Sequence, residues 1–94
     1  MQEPYNISMY YDDVFQFNSI AGNLDNITPA KLLAQSNVLA EECRELHDGI
    51  NSEDLEEILD GAVDVVYVAF GVLQMLHKLG YNIDRAMAKT ASNT

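Results

Sequence analysis

The chain has 94 residues, enough for a single domain over 1–94, and 48% of them are hydrophobic, well above what a disordered chain carries. Lys and Arg number 5 against 15 Asp and Glu, a formal net charge of −10, which argues against a nucleic-acid backbone or an anionic membrane as partner, since both reward positive charge. The one cysteine, Cys43, excludes an internal disulfide and a Cys-rich zinc site and points to the reducing cytoplasm.

Met1 to Asp12 shows no basic or apolar targeting run. Strand-like alternation is absent, and the expected class is all-α with four helices. The first should run from Asp12 to Ala21, opened by Asp12 and Asp13 and closed before Gly22 and Asn23. The second should start with Thr28 as N-cap and Pro29 at the first helical position. Its apolar stripe is Leu32, Leu39, Cys43, Leu46 and Ile50. Asn51 and Ser52 should cap the third helix, with Glu53 and Asp54 at its positive end. That helix should stop at Gly80, and Asn82 should cap a fourth from Ile83 to Ala91.

The third helix would have about 27 residues and reach roughly 40 Å. A compact chain of this size has a radius of gyration of about 12–13 Å and a diameter of roughly 33 Å. Val65 to Leu76 is apolar almost all round; it is too short a run to span a bilayer, and Asp60 and Asp64 lie just before it. It should be buried on more than one side, by a second copy in a homodimer or homotetramer.

Ten of the fifteen acidic residues fall between Glu41 and Asp64, with Arg44 as the one basic residue among them. A solvated acidic face is the plain explanation. Position on the helices argues otherwise. Glu42 flanks the apolar stripe of the second helix, and Glu45 follows it by three residues. On the third helix Glu57, Asp60 and Asp64 share one strip, which continues into Tyr67 inside the apolar run. Unpaired carboxylates at a core boundary repel one another and are costly to desolvate. A hard divalent cation would relieve them: Mg²⁺ first, Mn²⁺ second. A carboxylate cleft carrying Mg²⁺ is a site for a polyphosphate.

The segment Glu41-Glu42-Cys43-Arg44-Glu45-Leu46, followed by Glu57-Ile58-Leu59-Asp60-Gly61-Ala62-Val63-Asp64-Val65-Val66-Tyr67, resembles the all-α nucleotide pyrophosphohydrolases. That superfamily includes MazG, dimeric dUTPase and phosphoribosyl-ATP pyrophosphatase, and its signature is Glu-Glu-x-x-Glu, a spacer, then Glu-x-x-Asp. Val14-Phe15-Gln16-Phe17-Asn18 is similar to the first helix of the MazG-like, phosphoribosyl-ATP-pyrophosphatase-like branch, and Gly80-Tyr81-Asn82-Ile83-Asp84 through Ser92-Asn93 to its end. The resemblance implies Mg²⁺-dependent hydrolysis of a nucleoside triphosphate to monophosphate and pyrophosphate, serving nucleotide-pool house-cleaning. It implies metal binding by Glu42, Glu45, Glu57, Asp60 and Asp64, with Glu57/Asp60 and Asp60/Asp64 as alternative pairs, and a base within Glu41, Glu42 and Glu45. Many relatives carry an acidic residue three before the aspartate matching Asp64, where this chain has Gly61.

Asn18 with Gln16 and Phe17 is the best candidate for base recognition. Lys31 and Lys89 are candidate phosphate contacts, Asn93 is a candidate substrate-binding residue, and Tyr67 is a candidate for orienting a ligand. Cys43 should be core, and His77 a core or interface residue. Neither His47 nor His77 has a glutamate three residues before it, which removes a ferritin-like di-iron site. The rival from another class is a non-catalytic acidic helical protein, either a nucleotide-binding relative or a DNA-mimic-like module. Such a module should spread its acids over the outside.

Overall fold

The computed structural model describes residues 4–93, which form four helices and no strand among the described residues. α1 spans Ile7–Ile20, α2 Pro29–Asn51, α3 Leu55–Lys78 and α4 Ile83–Ser92. The all-α class with four helices is therefore confirmed. α1 begins five residues earlier than Asp12, because the Asn6 side chain accepts a hydrogen bond from the Met9 amide and caps it there. Asp12 and Asp13 lie inside the helix. α2 starts as its sequence signals predict, with the Thr28 hydroxyl accepting from the Lys31 amide and Pro29 in the first turn.

The turn into α3 departs from expectation. Asn51 ends α2, Ser52 caps its C-terminus, and Glu53 takes a left-handed φ of 57°. The N-cap is Asp54, whose Oδ1 accepts from the Glu56 and Glu57 amides. α3 ends at Lys78, and Gly80 at φ 100° lets the Tyr81 amide reach the Leu76 carbonyl. Asn82 caps α4 through the Arg85 amide.

α2 and α3 form an antiparallel hairpin. Its register is fixed by three close approaches: Gly49 on Glu57, Leu46 on Gly61, and Gln35 on Gly71. A Cβ at Gly61 would stand 3.2 Å from the Leu46 Cα, so glycine there lets the two backbones come together. The inward face of α2 is Gln35, Leu39, Glu42, Leu46 and Gly49, all buried or half-buried. It is rotated from the expected stripe. Cys43 is exposed, not core, and Ile50 is exposed as well.

α1 crosses α3. Tyr11 meets Phe70 edge-on at 4.9 Å, and Phe15 meets His77 at 6.1 Å. A polar chain runs through this crossing. Asn18 Nδ2 donates to Gln74 Oε1 at 3.0 Å, Gln74 Nε2 donates to the Tyr11 carbonyl at 3.2 Å, and Asn23 Nδ2 donates to Asn18 Oδ1 at 3.0 Å. Gln74 is 0% exposed, so its amide is satisfied wholly inside the protein. α4 touches α3 only near its end, through buried Ile83.

α3 is 24 residues long, and by length and composition alone it could cross a bilayer. Here it is the helix on which the other three pack. The radius of gyration is 14.9 Å, larger than the value of about 12–13 Å for a compact chain of this length. Much apolar surface stays open, with Leu55 80%, Leu59 65% and Ile20 80% exposed.

Candidate functional site

The hairpin register places Glu42 on α2 opposite Asp64 on α3, and Glu45 opposite Gly61. Glu42 is half-buried, and its Oε2 is shielded from solvent without a hydrogen-bond partner. Burial pushes its carboxyl above the ordinary glutamate range, and the nearby carboxylates of Glu45, Asp64 and Glu41 push it the same way. An anion with an orphaned oxygen facing two further carboxylates is the arrangement a hard cation neutralises. The chemistry of these oxygen donors suits a divalent cation. They are not gathered around a point, since no three His, Cys, Asp or Glu groups among the described residues are placed to hold a metal ion.

The other predicted acidic residues are less involved. Glu41 is exposed and pairs with Arg44 at 3.8 Å on the solvent side. Glu57 sits by Gly49 at the closed end of the hairpin, seven residues and about 10 Å along the helix from Asp64. Asp60 is exposed one turn before Asp64. Asp64 itself is exposed in the single chain and does not enter the core as expected. Its strip turns outward beside half-buried Tyr67.

Several predicted ligand-binding residues are employed elsewhere. Asn18 is buried in the Gln74 chain and does not present its amide to a base. The Lys31 ammonium donates to the Gly22 carbonyl at 3.3 Å and to the Asp25 carbonyl, and so clamps the loop between α1 and α2. Lys89 and Asn93 are exposed at the C-terminal end of α4. Gln16 is exposed on α1. His77 is exposed with its ring against Phe15 rather than buried.

Tyr10 was not singled out by the sequence, yet its side chain approaches this end of α3. Burial raises its phenol above the ordinary range, and Tyr67 and Asp64 add to the effect. Phe17, on the same face of α1, meets Tyr67 at 6.4 Å. The available signal was their separation of seven residues, which puts both on one side of a helix.

Comparison with known proteins agrees with this architecture. The profile of the phosphoribosyl-ATP pyrophosphohydrolase family matches residues 13–90. An uncharacterized protein of Acanthamoeba polyphaga mimivirus is 31% identical over 83 residues, which cover 79% of this chain and 32% of the viral protein. The chain thus spans about a third of the length of that relative. No solved structure matches. With the family match running from α1 into α4 across both acidic helices, the chain belongs to the phosphoribosyl-ATP pyrophosphohydrolase family, within the all-α MazG-like nucleoside triphosphate pyrophosphohydrolase superfamily.

Proposed function

We propose that the protein hydrolyses a nucleoside triphosphate, deoxy or ribo, to the monophosphate and pyrophosphate, with Mg²⁺ or Mn²⁺ as cofactor. Family membership supports a pyrophosphohydrolase type of activity. The observation that carries the reading to this chain is the partnerless Glu42 oxygen facing Glu45 and Asp64. These three carboxylates would hold the cation, with Asp60 one turn away and Glu57 more distant. A bound divalent cation would supply charge neutralisation for the phosphates and acidify a water.

The protein groups do the rest. A carboxylate of the Glu-Glu-x-x-Glu motif that only partly ligates the cation takes the proton as a water oxygen attacks the α-phosphorus. The bond from the α-phosphorus to the bridging oxygen breaks, and pyrophosphate leaves. Glu41 shares the motif but faces solvent beside Arg44, so the burden falls on Glu42 and Glu45. The open apolar surface along Leu55, Leu59 and Val63 supports a homodimer or homotetramer. The proposed setting is the cytoplasm, in nucleotide-pool house-cleaning, without nucleic-acid or membrane partners.

One observation favours the rival. Apart from Glu42, every acidic residue from Glu41 to Asp64 is exposed, as a non-catalytic acidic binding module requires. A panel of nucleoside triphosphates with Mg²⁺, read as pyrophosphate release, separates the two. Monophosphate plus pyrophosphate is the expected product pair. Diphosphate plus inorganic phosphate refutes the cleavage position, and no turnover across the panel favours the binding module.

A further inference from the structure

Two side-chain amides, Asn18 from α1 and Gln35 from α2, meet at Gly71 of α3. A Cβ at Gly71 would stand 2.5 Å from Gln35 Nε2 and 3.8 Å from Asn18 Nδ2. Asn18 is spent on Gln74 and holds α1 to α3. Gln35 is half-buried, and its Nε2 donates to the Val68 carbonyl at 3.1 Å. Among the described residues this is the one side-chain hydrogen bond that joins α2 to α3. Apolar contact between helices is non-directional and allows one to slide along the other. A donor aimed at a single carbonyl does not. Fixing a register is the best-attested use of a polar group placed in such a seam. Val68 lies one turn beyond Asp64 on α3, and Gln35 about two turns before Glu42 on α2. The bond therefore ties together the stretches of α2 and α3 that carry these carboxylates. A slide of one turn would set Val38 or Leu46 opposite Asp64 in place of Glu42.

We propose that Gln35, seated over Gly71, is a positioning residue for the cation site: its bond to the Val68 carbonyl sets the axial register in which Glu42 faces Asp64. This rests on the pyrophosphohydrolase reading and goes beyond it. Gln35 touches neither cation nor substrate and acts through Glu42. Small hard cations tolerate little displacement of their oxygen donors, so a slipped register weakens their binding even when the hairpin still packs. Residues that orient metal ligands from outside the coordination shell commonly cost 10–100-fold in metal affinity when they are lost. Gly71 belongs to the same device, because any side chain there would evict the Gln35 amide from its seat.

The test is titration of the full chain with Mn²⁺, followed by electron paramagnetic resonance, with the melting temperature measured alongside in the absence of metal. Gly71→Ala is the deciding variant. Its methyl group displaces the flexible end of Gln35 and breaks the bond to Val68, while alanine favours the helix over glycine. The metal-free melting temperature should hold or rise, and Mn²⁺ should bind on the order of 10-fold more weakly. Gln35→Ala should weaken Mn²⁺ binding by a similar factor. The double variant should lose no more than either single one, since no amide remains to be displaced. Unchanged Mn²⁺ affinity in Gly71→Ala overturns the positioning role and leaves the carboxylate site standing. Losses that multiply in the double variant also overturn it, because the two positions would then act independently. A loss of affinity that tracks a fall in melting temperature across both variants overturns it as well, ordinary loss of packing being then sufficient. A wild-type chain that binds no Mn²⁺ overturns the carboxylate site and this proposal with it.

Discussion

Gln74 is the residue whose replacement tests the packing of α1 on α3 most directly. It is fully buried, accepts from Asn18 Nδ2 and donates to the Tyr11 carbonyl. Gln74→Met nearly preserves shape and removes both bonds. Leaving the buried Asn18 amide hydrogen without an acceptor costs about 1–3 kcal/mol, and the lost bond to Tyr11 about 1 more. Methionine no longer has to desolvate an amide, which returns roughly 1–2 kcal/mol. The net expectation is a loss of about 1–2 kcal/mol, a melting temperature lower by about 5–15 °C for a domain of this size. Urea unfolding at fixed protein concentration measures it, because association would make the midpoint concentration-dependent. The stronger test is the cycle with Asn18→Leu. Replacing both partners by apolar groups leaves no orphan, and Asn23 is exposed and can turn to water. The double variant should therefore be more stable than the sum of the single losses by about 1 kcal/mol or more. Additivity within about 0.5 kcal/mol would refute the bond as a determinant of the α1–α3 crossing.

Glu42→Gln and Asp64→Asn should each lower turnover on the order of 10²-fold while the helical circular dichroism spectrum is kept; near-wild-type turnover refutes that residue's assignment. Millimolar Mg²⁺ should raise the melting temperature of the wild type and do so less for Glu42→Gln; no shift in the wild type counts against the site. Glu42 binds its proton more tightly folded than unfolded, so its contribution to stability without metal falls as pH rises from the ordinary glutamate range through the raised value. Glu42→Gln should remove that decline, and an unchanged pH profile would contradict the burial of this carboxyl. Sedimentation at micromolar concentration should give a dimer or tetramer, and a stable folded monomer would show that the Leu55–Leu59–Val63 surface tolerates water.

Helix boundaries were legible where one residue type dominated the signal. Thr28 before Pro29, and Asn82 before Ile83, left no competitor for the cap. At the turn into α3, Asn51, Ser52 and Asp54 are all good capping residues, and propensity does not choose among them. Packing decides: Gly49 seats against Glu57, α2 continues to Asn51, and Glu53 makes the left-handed step that leaves Asp54 to cap. The start of α1 was hidden for a related reason. Its inward positions, Tyr10, Tyr11, Val14 and Asn18, mix aromatic, aliphatic and amide groups, so hydropathy alone shows little periodicity there. Gln74 was legible in principle. It is the one side-chain amide inside the Val65–Leu76 run, and burial of that run already demanded partners for it.

The rotation of α2 carries the site. Ranking by hydrophobicity turns Leu39, Cys43, Leu46 and Ile50 inward, whereas the structure turns Gln35, Leu39, Glu42, Leu46 and Gly49 inward. The second set is less apolar and holds an acid, so burial alone does not select it. Backbone proximity does. Gly61 permits an approach that a larger residue would resist, and Gln35 spans to the Val68 carbonyl at 3.1 Å over Gly71. That approach brings Glu42 up against the strip bearing Asp64, at the cost of desolvating a carboxylate that has no protein cation to meet it. The chain accepts a half-buried acid with one partnerless oxygen while leaving Cys43 and Ile50 in water. Local rules are broken in this way where function requires it. Here the breach sits at the three-residue spacing of acids, Glu42 to Glu45, within the Glu-Glu-x-x-Glu pattern.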